Sequence, residues 1–549
     1  MNNCRAKSSL CWWQCDGAAL ILLAIGGLLF SYPVVMSTLA PYDDEGYVMM
    51  TLQSFHGGHR LYGETHTQYG PAFYFLTDSL HHWFRVPLSQ DGVRLKTIIV
   101  WCLASIFCYA VLRRNEVSKT ISLLIATLFH LHLDKLALEP GHPQEWILLL
   151  SVLAIWFVGG QSSWRWSFAA ACAALVGLTK INCGAIVAIP LFAQAILVSG
   201  SGVRDRFAWL QVLLAGIGTT VFVIILTIAS GTSPSELAWG LIGQHQRFST
   251  DFYLAIPWNQ AGLLFAALSI FLMLPILNSK REFSMALLTI VALTVAMLGL
   301  VFDIIRPLIH GLEPRGAAPW LVVVGPALVP WMVRFRSHIT NNTWMIAGIV
   351  ILSPLMAFPT PGTQMSLATA TSWIVIGLLL DSCSRVFIRP KVSRWALRSV
   401  SIACALWILA NSWYRYASNE SLDLAGARLL RLESSQAIQQ RRIAKAILET
   451  HCDQLAFDAH THNRFYFWTG CSPLTHANPT FWTRMLTSQE QQKWVESLGS
   501  SKTICVVLPP ENEALATNQT SELRCILLDG WIEQENIDGW RIGIRKLTP

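Results

Sequence analysis

Apolar runs, each separated from the next by a polar or charged connection, recur through the first three quarters of the chain. Runs of this length match the hydrocarbon thickness of a bilayer, where only a helix satisfies its own backbone groups. The pattern predicts thirteen transmembrane helices, at about 17–40, 93–112, 119–135, 144–159, 164–180, 183–199, 207–230, 259–277, 283–302, 317–333, 343–358, 365–381 and 396–414. Two connections, 41–92 and 231–258, are too long to be mere turns. Within the first, Val48, Leu52 and Phe55 share one helical face, and Ala72 to Phe84 forms a second aromatic-rich amphipathic stretch after the Gly57-Gly58 turn. Both are expected to lie along the membrane surface.

From about Tyr416 the periodicity changes and polar residues dominate. Ser435 to Thr450 and Pro479 to Leu498 read as helices. Gln454 to Ala459, Thr503 to Leu508, Arg524 to Leu528 and Trp540 to Arg545 read as short strands, the last after an Ile537-Asp538-Gly539 turn. The expected architecture is a polytopic α-helical membrane region, 1–414, followed by a small α/β domain, 415–549.

Composition agrees, with 53% hydrophobic and 13% charged residues among 549. A soluble chain of that size would expose large apolar patches. Charge then fixes the expected topology, because Lys and Arg gather in short cytoplasmic loops. Starting from Arg5 and Lys7 inside, alternate connections hold Arg113, Arg114 and Lys119; Arg165; Arg204 and Arg206; Lys280 and Arg281; Arg334 and Arg336; and Arg385 to Arg398. This alternation requires 164–199 to be two helices broken near Lys180-Ile181-Asn182. An odd number of spans puts the C-terminal domain on the extracytoplasmic side. The first span reads as an uncleaved anchor, although Ala40 could end a processing site. The net charge of +7 follows from the inner loops and does not argue for nucleic acid. No Walker motif, strand-helix GxGxxG or CxxC is present, which disfavours ATP-driven transport and nucleotide-sugar chemistry.

Candidate chemistry lies in the expected outer connections. Asp43, Asp44 and Glu45 follow the first span, with Tyr42, Tyr47, His59 and Arg60 in the same loop. A carboxylate there can take a proton from a hydroxyl or amine. Acids in a first helical turn also serve as caps. The 139–145 connection adds Glu139, His142 and Glu145, in a setting that also suits a plain Pro/Gly turn. Lys180 is a charge at the outer end of a span, placed either to meet an anionic donor or to snorkel to headgroups. Arg306 and Arg315 offer guanidinium forks to a phosphate or to lipid headgroups. Asp43, Asp44, Glu139 and His142 would also suit a divalent cation, Mg²⁺ or Mn²⁺, though their spacing is not diagnostic.

The run APYDDEGYVMMTLQSFHGGHRLYGETHTQYGPAFYF, residues 40–75, resembles the first outer loop of the GT-C glycosyltransferases that use polyprenyl-phosphate-linked sugars. That superfamily includes the protein O-mannosyltransferases and lipid A aminoarabinose transferases. The shared features are an acid pair after the first span, a juxtamembrane helix, a Gly-rich turn with Leu-Tyr, and a Pro-aromatic segment. The likeness implies a GT-C-like fold and sugar transfer from a lipid-phosphate donor to a glycan, lipid or protein acceptor. It implies Asp43 or Asp44 as base and Glu139, with Glu145 as alternative, as second acid. Lys180, Arg60, Arg306, Arg315, His142 and Tyr69 would bind donor or substrate. Gln68-Tyr69-Gly70-Pro71 stands where the aminoarabinose transferases carry a Glu-Lys-Pro-Pro-like element, so those charged contacts do not carry over. RFYFWTGCSP, 464–473, resembles an aromatic piece of the soluble tails in this group. The rival readings are a transporter or flippase for lipid-linked glycans, and a polysaccharide polymerase or ligase.

Four of thirteen cysteines, Cys452, Cys471, Cys505 and Cys525, fall in the C-terminal domain and permit two disulfides there. Chain order suggests Cys452–Cys471 and Cys505–Cys525, one of three pairings. His460 and His462 bracket a loop in the same domain.

Overall fold

The computed structural model describes residues 8–40, 43–160, 162, 164–199, 205–244, 321–322, 325–326, 328–329, 332, 342–358, 362–387, 406–457, 462–473, 496, 503–510 and 528–546. Among these, six helical segments are long and apolar enough to cross a bilayer, which makes this a polytopic helical membrane protein. The spans expected at 259–277 and 283–302, and most of those at 317–333 and 396–414, lie outside the described residues, as do Arg306 and Arg315.

The helices that carry the site are α1 (Ser8–Val35), α2 (Asp44–His56), α3 (Pro71–Phe84), α4 (Gln90–Arg114), α5 (Lys119–His132), α6 (Gln144–Val158), α7 (Arg165–Gly177), α8 (Ile181–Ser199) and α9 (Ala208–Ala229). Short α2 and α3 occupy the long first connection, where the apolar spacing places helices. A 3₁₀ turn, Leu133–Leu138, extends α5. Helix α6 is buried along most of its length and packs against α4 and α7. The chain between α7 and α8 breaks at Leu178–Lys180, within the stretch where charge alternation demands it. There the two helices approach so closely that a Cβ on Gly184 would lie 2.2 Å from the Gly177 Cα. Small residues at a crossing allow such contact between helices.

The two ends of the bundle differ in chemistry. At one end, the basic connections meet buried or half-buried acids: Arg113 Nε lies 2.8 Å and Lys119 Nζ 3.6 Å from Asp16, and Arg165 Nη2 bonds both oxygens of Asp205 at 2.7 Å. The Ser118 backbone N–H donates to Asp381 at 2.8 Å. The opposite ends of α1 and α4, the 139–143 connection and the α7–α8 turn carry the candidate acids and Lys180.

The C-terminal domain holds a five-stranded sheet of β3 (Gln454–Phe457), β4 (Ser472–Pro473), β5 (Thr503–Leu508), β6 (Trp531–Ile537) and β7 (Trp540–Lys546), after a small ladder of β1 (Glu420–Ser421) and β2 (Arg431–Leu432). The order is β4-β3-β5-β7-β6, with β3 parallel to both neighbours and β5–β7–β6 antiparallel. Asp538 and Gly539 both take positive φ, as a tight hairpin turn requires. The helix Ser434–Glu449 covers the sheet through Ile443 and Ile447. Cys452, Cys471 and Cys505 are buried free thiols here. Cys471 Sγ donates to the Cys452 carbonyl at 3.4 Å, so the expected Cys452–Cys471 bridge is not formed. Cys525 and His460 lie outside the described residues.

Candidate active site

Four connections deliver polar side chains to one place. Asp44 opens α2, Glu139 and His142 stand between the 3₁₀ turn and α6, Lys180 sits in the α7–α8 break, and Thr363 and Gln364 begin the helix Gln364–Ala370. Asp44, Glu139 and His142 each present one donor atom, and the three lie within 4.8 Å of one another.

The backbone around them is tightly fixed. The first loop docks on the α7–α8 break through Gly70 N–H to the Thr179 carbonyl (2.9 Å) and Ala72 N–H to the Leu178 carbonyl (3.1 Å). A Cβ on Gly70 would lie 1.9 Å from the Leu178 oxygen, so only glycine allows this approach. Gly141 takes φ +80, donates its N–H to Thr97 Oγ1 (2.8 Å) and accepts Lys96 Nζ at 3.4 Å. Lys96 also pairs with buried Glu145. Glu145, the alternative second acid, is thus engaged beneath the loop, whereas Glu139 faces Asp44.

Glu139 Oε2 accepts from Thr363 Oγ1 (2.7 Å) and Gln144 Nε2 (3.0 Å) and stands 3.9 Å from His142 Nε2. Lys180 Nζ donates to Gln364 Oε1 at 2.5 Å. The Gln144 backbone N–H donates to His142 Nδ1 (3.3 Å), which assigns the ring proton to Nε2, facing the Tyr69 hydroxyl at 2.5 Å. Burial, together with nearby Lys180 and Lys96, holds His142 well below its ordinary pKa and therefore neutral. The Tyr69 oxygen also accepts Gln68 Nε2 (2.9 Å). Having accepted two bonds, Tyr69 keeps its own proton available to a third partner.

Adjacent Asp43 and Asp44 do different work. Asp43 caps α2, accepting the Gly46 N–H at 3.0 Å, and also accepts the Arg464 backbone N–H at 3.0 Å. Burial raises its carboxyl to about 6 against the opposing pull of Arg464. Asp44 makes no hydrogen bond or ion pair among the described residues and keeps part of its surface open. Burial, then the neighbouring charges of Glu139 and Asp43, push its carboxyl well above the ordinary range.

Of the other sequence candidates, Arg60 is not gathered into this cluster. It joins Glu64 (3.2 Å) and Glu236 (3.9 Å), tying the first loop to the segment after α9. Sequence reasoning missed Thr363, Gln364, Gln144 and Gln68, polar residues at helix ends or beside a recognised aromatic.

Asp44 and Glu139 offer hard oxygens to a divalent ion, with His142 as a nitrogen ligand. Both ring nitrogens of His142 are already engaged, so a third ligand there requires Tyr69 to release it.

No family model matches the chain, and no curated protein matches it. Among solved structures, ArnT from Cupriavidus metallidurans bound to undecaprenyl phosphate is similar over 97% of this chain and 99% of that one, with 11% identity and a TM-score of 0.48. The same protein in its apo state is similar over 97% and 98%, with 12% identity and a TM-score of 0.45.

Proposed function

We propose that the chain is a membrane glycosyltransferase that moves a sugar from a polyprenyl-phosphate donor to an acceptor by one inverting displacement. We put the reaction on the extracytoplasmic face of a bacterial inner or plasma membrane, with the N-terminus in the cytosol. The observation that carries this reading is Asp44, a carboxylate unpartnered among the described residues and gathered with Glu139 and His142, near which Lys180 also stands. The first-loop sequence resemblance points the same way.

An acceptor hydroxyl or amine attacks the anomeric carbon and gives its proton to an Asp44 oxygen. The bond from that carbon to the phosphate oxygen breaks, and the lipid phosphate leaves with the electron pair. Lys180 and the Tyr69 O–H stabilise the growing phosphate charge, which needs cationic and hydrogen-bonding partners more than a proton. Glu139, fixed by Thr363 and Gln144, raises the basicity of Asp44 and orients acceptor or sugar. A divalent ion, if bound, would be held by Asp44 and Glu139 and would supply Lewis-acid stabilisation of the phosphate.

The test uses purified full-length protein in liposomes with a labelled polyprenyl-phosphate monosaccharide and candidate acceptors. Transfer of label is expected, and it should persist in EDTA because Lys180 already supplies a cation. Passage of the donor across the bilayer without transfer would instead make the protein a transporter. Activity confined to diphosphate-linked oligosaccharides would make it a polymerase or ligase. Loss of transfer in EDTA, restored by Mn²⁺ or Mg²⁺, would reassign Asp44 and Glu139 as ligands.

A further inference from the structure

We infer that the short helix Arg464–Thr469 of the C-terminal domain positions Asp44 by gripping the residues on either side of it. Arg464 acts through Asp43, and Trp468 acts through Gln90 and Glu45. The task given to Asp44 rests on the transferase reading; the grip itself does not.

Asp44 has no contact that would fix its carboxylate, so its place depends on its neighbours. On one side, Asp43 Oδ2 accepts the Arg464 N–H at 3.0 Å, and the Arg464 Nε lies 3.9 Å from Oδ1. The guanidinium also donates to the Ala40 carbonyl (3.3 Å), just before the acids, and to His462 Nδ1 (3.1 Å). His462 in turn packs against Trp540 of β7 with ring centroids 4.6 Å apart, so the grip is anchored in the sheet. On the other side, Glu45 accepts Arg94 Nε (2.7 Å), Arg94 Nη2 (2.6 Å) and Gln90 Nε2 (2.8 Å). Gln90 Oε1 accepts Trp468 Nε1 at 3.0 Å.

Arg464 and Trp468 are four residues apart and therefore share one face of their helix. The Arg464 guanidinium lies 5.9 Å from the centroid of the Trp468 ring. One helical face thus reaches both flanks of the proposed base. Gly46 closes the arrangement: a Cβ there would lie 2.4 Å from Asp43 Oδ2 and 2.5 Å from the Arg464 nitrogen. A link needed only for adhesion could be apolar, since buried ion pairs seldom add net stability. Here charged and polar groups converge on the residues that bracket one carboxylate.

The test measures transfer kinetics and amide exchange on full-length Arg464→Ala, Arg464→Lys, Trp468→Phe, Asp43→Asn and Asp43→Asn/Arg464→Ala proteins in liposomes, with a labelled polyprenyl-phosphate monosaccharide. Arg464→Ala should lower kcat by about 10- to 100-fold, the cost of an ångström-scale misplacement, with donor KM changed less than about 3-fold. Arg464→Lys should recover part of that loss, and the double variant should be no worse than its poorer single parent, because Arg464→Ala removes the cation of the same pair whose anion Asp43→Asn removes, while the Arg464 backbone N–H stays on residue 43. Full kcat in Arg464→Ala, or multiplicative losses in the double variant, would overturn the inference. The amides of Gly46 and Tyr47 should exchange faster in Arg464→Ala and in Trp468→Phe than in the parent. Unchanged exchange overturns the grip whatever the reaction. Faster exchange in a protein whose parent transfers no sugar leaves the grip standing and removes the transferase reading.

Discussion

Asp44→Asn should lose transfer by about 10²- to 10⁴-fold, the contribution of a positioned general base, while reaching the membrane in the same amount as the parent. The isosteric amide keeps the packing and cannot accept the acceptor's proton. The parent's pH profile should show the same group. Asp44 is held above the ordinary carboxylate range by burial and by the charges of Glu139 and Asp43, so activity should fall, on acidification, at a pH where an ordinary carboxylate is still ionised. The linked stability effect has the opposite sign. A carboxyl whose folded pKa is raised destabilises the fold progressively as pH rises from its unfolded pKa through its folded one. Asp44→Asn should therefore unfold at a higher temperature than the parent at neutral pH, and the gain should vanish in acid. An inactive, more stable protein is the outcome expected of a group retained for chemistry. Full activity in Asp44→Asn, or an equal loss of activity and stability, would remove Asp44 from the reaction.

Much of this site is legible in the sequence because it follows local rules. Val48, Leu52 and Phe55 announce α2, Pro71 and the aromatics after it announce α3, and the alternation of basic connections demands the break that becomes Leu178–Lys180. The capping alternative for the acid pair also proves correct for Asp43, whose side chain binds the Gly46 N–H. What stays hidden is long range. Thr363 meets Glu139 across 224 positions and Arg464 meets Asp43 across 421, and neither partner differs in composition from a residue that merely faces headgroups or solvent. Arg60 misleads for the same reason: its charge is visible in the sequence, but Glu64 and Glu236, which engage it, are not recognisable as its partners until the chain folds. Strand β6, Trp531–Ile537, escapes because a mostly exposed edge strand needs no apolar alternation.

Arg94→Met should cost about 3–5 kcal/mol of stability, the usual penalty for leaving one partner of a buried ion pair behind. Arg94 is fully buried, and its guanidinium does two things at once. It forms the forked pair with Glu45, and it donates to the carbonyls of Val35 and Thr38 (2.8 Å to the latter), at and just beyond the end of α1. The Val35 carbonyl is one of the orphan acceptors of the α1 C-terminus, where a cation also meets the negative end of the dipole. Thermal unfolding of detergent-purified Arg94→Met and Glu45→Gln/Arg94→Met proteins separates the two contributions. Recovery of most of the loss in the double variant is expected, because the uncompensated Glu45 charge is then gone. A double variant as unstable as the single would show instead that the end of α1 depends on Arg94 for its carbonyls. In either case the neighbouring Asp44 is held from a site whose own charges are spent on structure, which leaves its carboxylate as the one acid of the three at 43–45 with no partner among the described residues.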